Sequence, residues 1–119
     1  MNIVFLDGGS LGDYMDMSLL SDQYDITVFP QTNAGNVKER IQGAEIVITN
    51  KVPITKEVLE SAKELKFINV AATGYNNIDV EAAAAHGVKV ANVKNYSTES
   101  VAQLVMTYLL AWANSLLEF

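Results

Sequence analysis

The 119-residue sequence contains no cysteine, a single histidine and a single arginine. Without cysteine there are no disulfides and no thiolate metal ligands, and no metal site is expected. The absence fits a reducing compartment, and the expected location is cytoplasmic. Positive charge is also scarce. Fourteen Asp and Glu stand against eight Lys and Arg, for a formal net charge of -6. An acidic surface repels phosphate backbones, so nucleic acid is not an expected partner. The opening Met1-Asn2-Ile3-Val4 runs straight into a strand-like segment, with no basic stretch and no cleavage site, so no signal peptide is expected. Repeats, low-complexity tracts and dividing linkers are missing too. Half the residues are hydrophobic, which excludes intrinsic disorder, and the length suits one domain with its own core.

Short β-rich runs alternate with helix-like stretches. Ile3 to Leu6, Ile26 to Phe29, Ile46 to Thr49, Phe67 to Val70 and Val88 to Ala91 read as strands. Most are continuous apolar runs, as expected of parallel strands covered on both faces. Thr55 is placed to N-cap a helix over Lys56 to Glu64, and Asp79 to N-cap one over Val80 to Ala85 that Gly87 would end. Shorter helical stretches are expected at Val37 to Ile41 and Leu11 to Leu20. This alternation predicts an α/β fold, a flavodoxin-like doubly wound parallel sheet of about five strands.

From Ser97 to Phe119 there is one long helical pattern. Val101, Leu104, Val105, Tyr108, Leu109, Trp112, Leu116 and Leu117 spread apolar side chains around most of its circumference, which predicts burial on several sides. Neither Gly nor Pro closes the pattern before Phe119, which is unusual for an autonomous domain. Gln103, Thr107, Asn114, Ser115 and Glu118 interrupt the run, so no membrane span is expected.

Two loops after strands could hold a ligand. Asp7-Gly8-Gly9-Ser10-Leu11-Gly12 places Gly9 and Gly12 at the last two positions of a dinucleotide fingerprint, but Asp7 holds the first. A carboxylate there would repel a pyrophosphate, and the second strand ends at Phe29-Pro30 without the expected acid. A plain turn is the better expectation. A receiver-like magnesium site would need grouped acids, and strand three ends Thr49-Asn50-Lys51. The second loop runs from Val70 through Ala71-Ala72-Thr73-Gly74-Tyr75-Asn76-Asn77-Ile78-Asp79. Its small residues allow close backbone approach, Gly74 permits unusual dihedrals, and consecutive free N–H groups can form an anion-binding concavity. Asn50 and Lys51 reach the same sheet edge, and a lysine beside such a nest suits a small carboxylate.

Four segments, in order, carry a family likeness: Thr49-Asn50-Lys51-Val52-Pro53-Ile54-Thr55, then Ala72 to Asp79, then His86-Gly87-Val88-Lys89-Val90-Ala91-Asn92, then Ser97-Thr98-Glu99-Ser100-Val101-Ala102-Gln103. Together they resemble the successive hallmarks of NAD-dependent D-2-hydroxyacid dehydrogenases of the glycerate dehydrogenase (hydroxypyruvate reductase) type. The resemblance implies that residues 1–97 are the first segment of a substrate domain, and that 98–119 are a crossover helix toward a Rossmann domain binding NAD or NADP. It implies substrate contacts from Thr73 and Gly74 through their amides, a pocket rim at Asn50 and Lys51, and an approach to the cofactor at Val101. Gln103 takes a position often held by Glu in relatives and is assigned no catalysis.

In that family the chemistry belongs to an Arg, a His and its partner acid, all of which follow the Rossmann fingerprint. None of that region is in this sequence, so the 119 residues alone are expected to be inactive and to bind the cofactor poorly. The expected small-molecule partner is a 2-hydroxy or 2-oxo carboxylate, and a homo-oligomer is expected through residues 97–119. His86, before Gly87, is expected to cap a helix end, and Arg40 to lie in the stretch after strand two. The alternative is a non-catalytic flavodoxin-like or receiver-like ligand-binding module.

Overall fold

The computed structural model describes residues 1–12 and 16–116. Five strands, β1 (Asn2–Phe5), β2 (Asp25–Val28), β3 (Ile46–Thr49), β4 (Phe67–Val70) and β5 (Lys89–Asn92), alternate with helices α1 (Ser18–Ser21), α2 (Val37–Arg40), α3 (Lys56–Ser61), α4 (Val80–Ala85) and α5 (Thr98–Ala113). The strands form one parallel sheet in the order β2-β1-β3-β4-β5. This is the flavodoxin-like order, in which the strand sequence reverses beside β1 and ligand crevices open at the carboxyl edge. The stretch from Leu11 to Leu20 is not one helix. It divides into a 3-10 turn at Gly8–Leu11 and the four-residue α1, while residues 13–15 lie outside the described residues.

One sheet face carries the main core. Val4, Val47, Ile68 and Val70 pack with Val37 and Ile41 beside α2, Val58 and Leu59 of α3, and Ala82 and Ala83 of α4. Each fully buried aliphatic side chain of this kind stabilises the fold by about 1.5–3 kcal/mol. Successive side chains alternate between faces, so Ile3, Phe5, Ile26, Ile46, Ile48 and Phe67 share the other one, as their register requires. Ile3 and Phe5 are buried there, whereas Ile26, Ile46, Ile48 and Phe67 remain partly open and Val28 is 41% exposed. The continuous apolar runs therefore match a sheet built for cover on both faces, of which one carries the buried core, although Thr27 on the edge strand β2 is exposed there.

The helix ends vary in how they are held. Asp79 caps α4 by accepting a hydrogen bond from Ala82 N at 2.9 Å, and Gly87, at φ +72°, ends it in the left-handed region. Thr55 occupies the N-cap position of α3 without capping it. Its hydroxyl instead donates to the Glu57 carboxylate at 2.6 Å, and α3 ends at Ser61 rather than Glu64. The burial that periodicity alone suggests for α5 is not met, and its apolar side chains stand exposed, as a crossover helix without its cofactor domain implies. None of its residues is buried, Trp112 is 82% exposed, and the molecule measures 59 × 33 × 25 Å. Among the described residues nothing covers its apolar circumference. Leu117 and Phe119 lie outside the described residues. No helix among the described residues is long and apolar enough to cross a membrane.

Candidate functional site

The loops after β1, β3 and β4 meet at the carboxyl edge of the sheet. Asp7, directly beyond β1 and only 5% exposed, sends its carboxylate to the loop after β3. Oδ1 accepts from Asn50 N at 2.8 Å and Oδ2 from Lys51 N at 2.6 Å. The Asn50 side chain donates to Ser10 Oγ at 3.0 Å, adding a third tie between the two loops. Buried Thr49 accepts from Val52 N at 3.0 Å and tightens the same turn. From the other side, Asn77 Nδ2 donates to Val52 O at 3.1 Å. Ile54 N donates to Asn77 O, and Asp79 N to Ile54 O. The segment from Asn50 to Ile54 is thus fixed by groups from both flanking loops.

The loop after β4 is anchored around its tip. Ala71 N donates to Thr49 O at 2.8 Å, Val93 N to Ala72 O at 3.1 Å, and Asn92 Nδ2 to Thr73 O at 2.7 Å. Between these anchors the amides of Thr73 and Gly74 are exposed and donate to no acceptor among the described residues. Gly74 does not have the unusual dihedral expected of it, since the glycines with positive φ are Gly12, Gly43 and Gly87. A Cβ at Gly74 would meet nothing within 4 Å, so what glycine leaves there is open space beside a free amide. Gly74 lines a concavity of about 230 Å³ with Asn50, Lys51, Asn76 and Asn77. Lys51 is exposed and forms no ion pair among the described residues. Free N–H groups, an ammonium and three carboxamides are a donor-rich set suited to a small anion.

Three of the expected residues, Asn50, Lys51 and Gly74, therefore line one concavity, with Thr73 adjacent. Val101 does not line it and stands 57% exposed on α5. Asp7, Ser10, Asn76 and Asn77 lay within the two candidate loops but were given no binding role of their own, and Asn92 lay outside them. Asp7 was legible in part: an acid at the end of the first strand of a doubly wound sheet stands at the ligand edge. What it binds, two amides more than 40 positions away, has no sequence signal.

The glycines after Asp7 do not make a phosphate cradle. Gly8 N donates to Phe29 O at 2.9 Å and Gly9 N to Pro30 O at 3.0 Å, so both amides are already engaged. A Cβ on Gly8 would stand 2.6 Å from Val28 Cγ1, and one on Gly9 2.8 Å from Pro30 O. These glycines let two loops touch. With a carboxylate at the first position as well, the turn does not fit a dinucleotide. The remaining titratable candidates are occupied elsewhere. His86 Nδ1 lies 2.8 Å from Ala82 O at the end of α4, as expected of a helix-end cap. Arg40 donates to Gln31 O at 2.6 Å and stacks 4.1 Å over the Phe29 ring, which holds the loop after β2.

The model of the family described as D-isomer specific 2-hydroxyacid dehydrogenase, catalytic domain, matches residues 3–114. The chain belongs to this family. A hydroxypyruvate reductase of Blautia hydrogenotrophica is 41% identical over 115 residues, covering 92% of this chain and 35% of that protein. A putative 2-hydroxyacid dehydrogenase of Haemophilus influenzae is 36% identical over 116 residues, covering 98% and 37%. The chain thus spans about a third of the length of these relatives. Among solved structures, an acyclic imino acid reductase in complex with NADPH and D-Arg superimposes with a TM-score of 0.86 at 27% identity, over 99% of this chain and 39% of its own. The TT0316 protein of Thermus thermophilus gives 0.79 at 25% identity, over 99% and 38%.

Proposed function

We propose that this chain is the substrate-recognition part of an NAD(P)-dependent D-2-hydroxyacid dehydrogenase that acts on a small 2-oxo acid of the hydroxypyruvate or glyoxylate class. The observation that carries this reading is the pair of free amides at Thr73 and Gly74 beside a concavity rimmed by Asn50 and Lys51. The amides take the carboxylate, the Lys51 ammonium offsets its charge, and Asn50 is within the same rim to pair with a neighbouring oxygen. Residues 1–97 form the substrate domain and 98–119 the crossover toward a cofactor domain, with Val101 on the cofactor side. The described residues offer no dinucleotide cradle, so the cofactor's platform belongs outside them. His86 and Arg40 are both engaged structurally, so these 119 residues alone are expected to oxidise no NADH with hydroxypyruvate.

A receiver-like alternative has less support. Among the described residues, Asp7 is the one acid lining the two concavities at this edge, and both its oxygens already accept amides. A homo-oligomer through residues 97–119 belongs to the same proposal, supported by the exposed apolar side chains of α5.

Titration of the isotopically labelled chain with D-glycerate, followed by amide NMR, tests the site. The expected result is a set of shifts centred on Thr73, Gly74 and Lys51 with a Kd of about 1 mM, corresponding to roughly -4 kcal/mol. Shifts confined to Asp7 through Gly12 would sink it.

A further inference from the structure

A buried carboxylate must be compensated where it lies. Asp7 achieves this with two consecutive backbone amides, those of Asn50 and Lys51, at 2.8 and 2.6 Å. Hydrogen bonds to an ionised acceptor are shorter and stronger than neutral ones. One carboxylate that takes two successive amides fixes the orientation of both peptide planes, and so the directions in which both side chains leave the backbone. The Asn50 side chain is then held again on Ser10.

Asp7 is itself immobilised on both sides. Leu6 O, just before it, accepts a hydrogen bond from the buried Thr32 hydroxyl. Gly8 and Gly9, just after it, are bonded to Phe29 O and Pro30 O in a space too tight for a Cβ. The turn at Asn50 and Lys51 therefore hangs from a point that cannot shift. Because Asp7 occupies the amides of 50 and 51, an anion in the concavity is left with the amides of the loop after β4, where those of residues 73 to 77 donate to no acceptor among the described residues.

We infer that Asp7 is a positioning residue for the carboxylate site. It sets the turn that carries Asn50 and Lys51 onto the rim, and it leaves anion binding to the amides of the loop after β4, those of Thr73 and Gly74 among them. This inference rests on the carboxylate-site proposal for its binding consequence, but not for its effect on the turn.

Asp7→Asn keeps the side-chain shape, loses one acceptor and turns an NH₂ group against one amide. In the 119-residue chain, D-glycerate is expected to bind this variant about tenfold more weakly, the loss of one hydrogen bond to a charged group. Lys51→Met should weaken binding as well. The double variant should be no worse than the weaker single one by more than about twofold, because coupled residues are non-additive. Unchanged affinity in Asp7→Asn, or losses that simply multiply, would overturn the inference.

Hydrogen exchange separates the two ideas without ligand. Exchange at Asn50 and Lys51 should accelerate about tenfold or more in Asp7→Asn while Ile68 and Val70 stay protected, since opening of one loop is independent of the core. Unaltered exchange at 50 and 51 overturns the positioning role even if glycerate binds. Conversely, accelerated exchange with no glycerate shifts in the unmodified chain means that the carboxylate-site proposal alone has failed. Should Asp7→Asn not fold, the unmodified chain still decides. Asn50 and Lys51 amides protected like the sheet ladder support the role, and exchange as fast as at exposed Gly35 overturns it.

Discussion

At the scale of single residues, the glycines of this chain do three different jobs. Gly87 supplies a left-handed dihedral, Gly8 and Gly9 supply the absence of a side chain where two loops touch, and Gly74 supplies an uncovered amide. Only the last bears on a ligand. Gly74→Ala would add a methyl group that meets no neighbour, and its φ is not of the kind that penalises alanine. Stability should therefore stay within about 1 kcal/mol of the parent, in the stabilising direction if anything. Glycerate affinity should nevertheless fall, because the methyl group enters the space beside the Thr73 and Gly74 amides. Thermal melting together with the NMR titration checks both halves, and full binding with unchanged stability would show that no ligand approaches there. Gly9→Ala behaves oppositely: a Cβ 2.8 Å from the Pro30 carbonyl must push the two loops apart.

At the scale of elements, α5 is a sixteen-residue helix with apolar side chains on most of its surface and none of them buried. Val101, Leu104, Val105, Tyr108, Leu109 and Trp112 are each more than half exposed. Covering even a few of them stabilises an assembly by about 1.5–3 kcal/mol per side chain. Light scattering over a concentration series is expected to show a dimer that Leu109→Asp converts to monomer. A monomer at every concentration would remove α5 as the interface. The five strands were legible because parallel strands between covering layers read as apolar runs, and Val80 to Ala85 because Asp79 and Gly87 punctuate it. Lys56 to Glu64 was drawn too long because no residue type marks its end: Ala62 leaves the helical region at ψ 70° although alanine favours helix. For the candidate site, residue type marked only a loop of small residues after β4, and the choice of Thr73 and Gly74 came from the family resemblance. The site was illegible where it depends on distant pairing, as between Asp7 and the amides of Asn50 and Lys51. The exposure of α5 accords with the crossover reading, in which a cofactor domain covers the helix, whereas periodicity by itself tells which side chains want cover and not whether cover is present.

At the scale of the whole molecule, the edge of the sheet opposite the site is closed by Glu45. Its carboxylate takes Lys66 Nζ at 2.7 Å and Asn2 N at 3.2 Å, and its backbone O accepts from Lys66 N at 2.8 Å, tying β1, β3 and β4 together. The Lys66 hydrogen bond, then the Asn2 amide, hold the Glu45 carboxyl below its ordinary range, and Glu45 in turn raises Lys66. The folded-state value of Glu45 is lowered, so its contribution is present above the ordinary glutamate range and is lost as pH falls through the lowered value. That of Lys66, raised, is present below the ordinary lysine range and lost as pH climbs through the raised value. Melting of Glu45→Gln against the parent should differ across neutral pH and converge in acid. A gap that persists undiminished in strong acid would dissociate the carboxylate from stability. The partly open sheet face of Ile26, Val28, Ile46, Ile48 and Phe67 has a separate consequence for how the chain looks in solution. Dyes such as ANS light up on accessible apolar surface and are commonly taken to report a molten globule. Here the fully native chain should brighten them while its near-ultraviolet circular dichroism and core amide protection stay intact, so fluorescence that elsewhere signals lost packing would in this molecule report native apolar surface, on this sheet face and along α5.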